Sequence, residues 1–151
     1  MAELDRFNRN AIAWLCLVSA LAIHVFDEAT TGFLSFYNDT ILGLRETLSF
    51  FRAPTFTFSS WITGLTIALA MGFALTWQVS RGGKFIRVLT IAVAVLMLGN
   101  ALGHLLGSAY LGRILPGFRS SFLLLPAALW MLWRGFVGDW GHRRRVTSES
   151  A

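Results

Sequence analysis

Two histidines sit among acids and an amide in stretches that are otherwise apolar: His24-Val-Phe-Asp27-Glu28 and Asn100-Ala-Leu-Gly-His104. His24 and Glu28 are spaced i, i+4, and His24 and Asp27 i, i+3, so each pair shares one face of a helix. Asn100 and His104 repeat the i, i+4 spacing. Two imidazoles with carboxylates make a first-row metal site, since zinc, iron and manganese all accept nitrogen and oxygen donors. A catalytic zinc site needs about three protein ligands and one open position. His24, His104 and either Glu28 or Asp27 would suffice, leaving the other acid as general base and Asn100 to orient a ligand or substrate. The expected assignment is His24, Glu28 and His104 as ligands, with Asp27, Glu28 and Asn100 as candidate catalytic groups.

Other chemistry fits the same residues. Without a metal, imidazole and carboxyl groups could move protons on a lipid-soluble substrate, as an isomerase or cyclase does. A site of this kind could also bind an ion or hydrophobic ligand without turnover. The plainest reading is structural: His24 neutralises Asp27 or Glu28, while Asn100 and His104 bond across helices as glue. Asn38-Asp39 reads more simply as turn chemistry, and Tyr110 with Arg113 as a headgroup contact or an interface marker.

The surroundings of these clusters are those of a membrane protein. Of 151 residues, 55% are hydrophobic and 14% charged, against about 25% charged in a soluble domain. Ionisable groups at membrane depth cost roughly 2.5–3.5 kcal/mol each on insertion scales, and they usually face a bundle interior. The single cysteine, Cys16, excludes an intrachain disulfide and reads as a small buried apolar residue. The net charge of +5 comes from twelve arginines and one lysine. It is explained as topology-setting charge, and no nucleic-acid motif accompanies it.

Four segments approach the ~20 apolar residues that a span requires. The first starts near Ala11 and is expected to continue through Asp27 and Glu28 towards Phe36, a retained helix rather than a cleaved leader. The second runs from about Phe56 to Val79, the third from about Ile86 to Tyr110, and the fourth from about Ser120 to Val137 with Pro126 inside it. LRETLSFFR, between the first two, suits a short amphipathic helix on the outer surface. With both termini cytoplasmic, nine Lys and Arg residues fall inside and four outside, as the positive-inside rule requires. The expected architecture is an all-α, four-span bundle over residues 1–140, with a basic disordered cytoplasmic tail over 141–151. The expected location is a bacterial inner membrane.

Depth links the two clusters. At ~1.5 Å per residue, His24 lies roughly 21 Å beyond Asn10, and Asn100 and His104 roughly 20 and 25 Å beyond Arg87. Spans one and three run parallel, so these side chains share a level and favour one joint site. Gly99, Gly103 and Gly107 on span three form overlapping GxxxG patterns, which serve close packing or a homodimer groove.

Together, HVFDE, GNALGHLLGSAYLGRILPG and the proline-containing FLLLPAALWML resemble the HXXEE-type small membrane proteins, from roughly His24 to Trp133. That family is named for a His-x-x-Glu-Glu motif on its first helix. The first acid here is Asp27, one methylene shorter than the family residue. The resemblance implies a membrane helix bundle whose site lies at His24, Asp27, Glu28, Asn100 and His104. The function expected from the residues is that of a membrane enzyme acting on a lipid-like or membrane-soluble small molecule by metal-assisted hydrolysis; the resemblance bears on the site residues and not on a reaction. The membrane lipids are its other expected partners.

Overall fold

A computed structural model describes residues 2–48, 50–138 and 140, with side chains from residue 9 onward. The side chain of Arg6 and the tail 141–151, with Arg143 to Arg145, lie outside the described residues. Among those described there are five helices and no strand: α1 (Ala2–Thr31), α2 (Phe33–Thr47), α3 (Phe58–Arg81), α4 (Lys84–Leu111) and α5 (Phe118–Val137). Four helical stretches are long and apolar enough to cross a membrane: Arg9–Thr31, α3, α4 and α5.

The punctuation between helices is local. Thr30 and Thr31 turn their hydroxyls back onto the carbonyls of Phe26 and Asp27 in the last turn of α1. Gly32 then takes a left-handed conformation (φ 81°) that ends α1 and begins α2. The first span therefore stops short of Phe36. The helix expected at LRETLSFFR is longer and earlier, since only its first four residues lie in α2. Phe33, Tyr37, Ile41 and Leu44 recur at helical spacing and give α2 one inward stripe, while Asp39, Glu46 and Thr47 are exposed. Two contacts return the chain to α3: the Tyr37 hydroxyl donates to the Pro54 carbonyl (3.0 Å), and the Asn38 side chain bonds the Phe56 backbone in both directions. Asn38 thus serves a chain turn. At the start of α3, Thr57 accepts the Ser60 N–H (3.2 Å) as an N-cap. Pro126 lies within α5 without ending it.

α1 is the hub. It packs along α3 on one side and α5 on the other, and α4 lies against α5. Ala13, Trp14, Leu17 and Val18 of α1 meet Leu124, Ala128 and Met131 of α5 and Ala94 and Ala101 of α4 in one buried cluster. The alanines let backbones approach closely. α3 is held more lightly, and the Trp14 indole N–H donates to its Gly72 carbonyl (2.8 Å). At the end of the bundle that holds Asn10, Arg134 donates to Asn10 (2.9 Å), and Trp140 connects Arg134 to Gly83.

Two expectations are corrected here. Cys16 is exposed, because the buried face of α1 runs through Ala13, Trp14, Leu17 and Val18 and leaves residue 16 on the opposite side with Ile12 and Leu15. Of the two uses expected for the α4 glycines, close packing is not made by Gly99 or Gly103 among the described residues, since a Cβ at either would meet nothing within 4 Å, and the homodimer groove is left open by this. Gly107 faces inward, against Leu115.

Candidate metal centre

The last turns of α1, the second half of α4 and the first turn of α5 converge at the end of the bundle opposite Asn10 and Arg134. His24 and Glu28 are one turn apart on the buried face of α1, and His104 is buried on α4. His24 Nε2 lies 3.4 Å and His104 Nε2 3.0 Å from the same oxygen of Glu28, Oε1. The two rings meet edge to face with centroids 4.9 Å apart. One potential ligand atom from each of the three residues lies within 4.8 Å of the other two. A carboxylate that is 5% exposed needs polar partners, and the imidazoles supply them.

Asp27 points elsewhere. Its Oδ2 accepts the backbone N–H of Ser120 (3.1 Å) and the Ser120 hydroxyl (2.7 Å), so it caps the first turn of α5. Ser120 Oγ is in turn 2.8 Å from His24 Nδ1. Asp27 is thereby connected to the cluster from behind, through Ser120, while Glu28 faces it directly. Asn100 lies half-buried one turn before His104 and makes no hydrogen bond to His24, Glu28 or His104. The structure brings together His24, Glu28 and His104, attaches Asp27 at one remove, and leaves Asn100 outside.

Gly117 and Phe33 complete the enclosure. Gly117 is the N-cap of α5 with φ 81°, and both imidazoles fill the space where a side chain would stand. Phe33, the first residue of α2, covers His104 at a ring distance of 5.4 Å and touches Trp61 of α3 at 6.0 Å.

Helices α1 and α4 meet directly over only a short stretch, because α5 separates them elsewhere. The site expected between spans one and three is thus a three-helix site. Ser120, Gly117 and Phe33 did not stand out in the sequence. The signals in the sequence are the Pro116-Gly117 turn pair and two consecutive serines, Ser120 and Ser121, opening an apolar span; the structure buries both serines.

A family model described as "Protein of unknown function with HXXEE motif" matches residues 14–131. The chain belongs to the HXXEE family. In this HXXEE chain the motif reads His24, Asp27, Glu28, and its two acids do different things: Glu28 faces both histidines, and Asp27 caps α5. No curated protein and no solved structure matches the chain.

Two cavities lie at this end of the molecule, neither lined by His24, Glu28 or His104. One of about 180 Å³ is lined by Asp27, Thr31, Pro116 and Arg119, among others. The other, about 300 Å³ and mainly apolar, runs along Leu105, Ser108, Ala109 and Phe118, beginning one turn from His104. Arg113 borders it and lies 5.9 Å from the Phe36 ring.

Proposed function

We propose that this HXXEE protein is an integral membrane enzyme that holds a divalent cation at His24, Glu28 and His104 and hydrolyses a lipid-like or membrane-soluble small molecule. Four long apolar helices support membrane insertion, as do the many large apolar side chains that face outward, among them Phe26, Leu96, Leu106 and Trp133. In the proposed orientation both termini are cytoplasmic. Arg9, Arg81, Lys84, Arg87 and Arg134 then lie inside, and Arg45, Arg52, Arg113 and Arg119 outside. The membrane proposed is a bacterial inner membrane.

The observation that carries the metal reading is the convergence of two imidazole Nε2 atoms on one Glu28 oxygen, at 3.4 and 3.0 Å. Donors bound at ~2.0–2.1 Å to a tetrahedral zinc stand about 3.3 Å apart, so both separations already suit a shared ion. In addition, His24 Nε2 is buried without a hydrogen-bond partner. Zinc, iron and manganese all accept this donor set. When bound, such an ion supplies Lewis-acid activation for hydrolysis. The chain's own contribution is to hold the ligands on two rigid helices, α1 and α4, to cover His104 with Phe33, and to offer an apolar groove one turn away.

Metal content of the detergent-purified full chain, prepared without chelator and measured by mass spectrometry, tests the reading. The expected result is near-stoichiometric metal that is absent from His24→Ala and His104→Ala. Wild-type protein without metal would sink it.

The 3.0 Å contact of His104 with Glu28 favours a second reading, metal-free acid/base chemistry of the isomerase or cyclase kind. That reading predicts activity indifferent to chelators with a bell-shaped pH profile.

A further inference from the structure

Asp27 is the acid of the motif for which the ligand set above has no use, yet it is tied to that set through a single serine. The Ser120 oxygen has three polar neighbours besides its own backbone: Asp27 Oδ2 at 2.7 Å, the Gly117 carbonyl at 3.1 Å and His24 Nδ1 at 2.8 Å. A hydroxyl carries one proton and two lone pairs. The carboxylate, the carbonyl and an unprotonated Nδ1 would compete for the one Ser120 proton, and the charge-assisted bond to Asp27 is the strongest of the three. The contact with His24 is then a hydrogen bond only if Nδ1 carries a proton and the serine oxygen accepts it. In a neutral imidazole the other nitrogen is left with a bare lone pair. That nitrogen is Nε2, which is buried without a hydrogen-bond partner and lies 3.4 Å from Glu28 Oε1.

We infer that Asp27, acting through Ser120, is a positioning residue that fixes His24 in the Nδ1–H tautomer and so presents its Nε2 lone pair to a divalent cation between His24, Glu28 and His104. The inference rests on the metal reading above and deepens it. Histidines that ligate metals generally donate their second ring N–H to an oxygen acceptor, which fixes tautomer and ring orientation. Here the acceptor comes from α5, and the acid behind it from α1, next in sequence to the ligand Glu28. A carboxylate that served only as a helix cap would need the Ser120 backbone N–H alone. This one also takes up the only proton with which the hydroxyl could have donated to His24.

The experiment is nitrogen NMR of the full chain in detergent, labelled with ¹⁵N in histidine, before and after adding zinc. His24→Gln identifies the His24 signals. Expected in the wild type is a single tautomer with the proton on Nδ1. Ser120→Ala and Asp27→Asn should lose that preference and bind added zinc roughly 10–100-fold more weakly, while Ser120→Thr, which keeps a hydroxyl, restores both. His104→Ala should lose zinc but keep the tautomer, because it leaves the Asp27–Ser120–His24 chain intact. Wild-type His24 protonated on Nε2, or a Ser120→Ala protein with tautomer and zinc affinity unchanged, would overturn the inference. A Ser120-dependent Nδ1–H tautomer in a wild-type chain that binds no zinc would overturn the metal reading and support the tautomer assignment.

Discussion

Gly117 is closed in by His104: a Cβ at residue 117 would stand 2.9 Å from the Cε1 atom of that imidazole, and 3.0 Å from Cε1 of His24. The N-cap of α5 therefore sets the gap in which both rings sit. Gly112 offers the internal comparison, with φ 62° and nothing within 4 Å of an added Cβ. Each Gly→Ala change incurs the left-handed backbone cost, about 1–2 kcal/mol. Gly117→Ala must also displace two buried rings. It is expected to lower stability more than Gly112→Ala and, unlike it, to reduce metal content. Unfolding in detergent and mass spectrometry on both variants check this, and equal losses with unchanged metal would count against the packing described.

The two acids of the motif should separate experimentally. Glu28→Gln keeps the size of the side chain but removes the charged oxygen on which both Nε2 atoms converge. Metal is expected to fall to background, with a stability loss of roughly 1–3 kcal/mol for the buried groups left poorly partnered. Asp27→Asn is expected to retain metal at reduced affinity, since Asp27 touches Ser120 and not the cluster. Equal metal loss in both variants would mean that the acids are not divided as the geometry has them.

Much of this arrangement was legible, and the reason is arithmetic. The i, i+4 spacing put His24 and Glu28 on one face, and the rise per residue put His104 at the depth of His24; the structure brings the three together. The break at Gly32 was hidden because Phe33 to Tyr37 continue the apolar run across it, so only the backbone angle reveals the end of α1. Ser120 and Gly117 were hidden for a different reason. Their importance comes from the docking of α5 against α1, a contact between residues more than ninety apart that no local pattern encodes. Cys16 shows the limit of composition: an apolar neighbourhood does not say which way a helix is turned.

Metal removal should be readable as stability. A ligand that binds only the folded state contributes RT ln(1 + [L]/Kd), about 2.7 kcal/mol at a hundredfold excess over Kd. Chelator treatment is therefore expected to lower the unfolding midpoint of the wild type, and zinc to restore it. His104→Ala should respond to neither. A wild-type midpoint indifferent to both would point to the acid/base reading.

The glycines of α4 divide by environment. Gly103 has open space at its Cβ position, whereas Gly107 would bring a Cβ to 3.0 Å from Leu115. Gly103→Ala is expected to leave stability unchanged or raise it by up to about 1 kcal/mol through helix propensity, and Gly107→Ala to gain less than Gly103→Ala, because Leu115 must give way. A homodimer groove on this helix, the other use of the GxxxG pattern, would have open space at Gly99 and Gly103. Cross-linking of Gly103→Ile in detergent tests that surface independently of the fold.

Trp14 joins the lightly held helix to the hub. None of the most apolar stretch of α3 is buried, and the indole of Trp14 reaches across from α1 to the Gly72 carbonyl at 2.8 Å. Close packing at the same point, where a Cβ on Gly72 would lie 3.2 Å from Val18, brings the two backbones near enough for that bond. Trp14→Phe keeps a buried ring and removes the donor, leaving the carbonyl to its helical bond alone. Interhelical hydrogen bonds in apolar surroundings are worth ~0.6 kcal/mol on average and up to ~1.7. The expected loss of stability is within that range, with faster hydrogen exchange concentrated in α3. Metal content should not change, because α3 supplies none of the three ligands and meets their cover through the Trp61–Phe33 ring contact. Lost metal with α3 exchange unaltered would show that Trp14 acts on the site through α1 and not by holding α3.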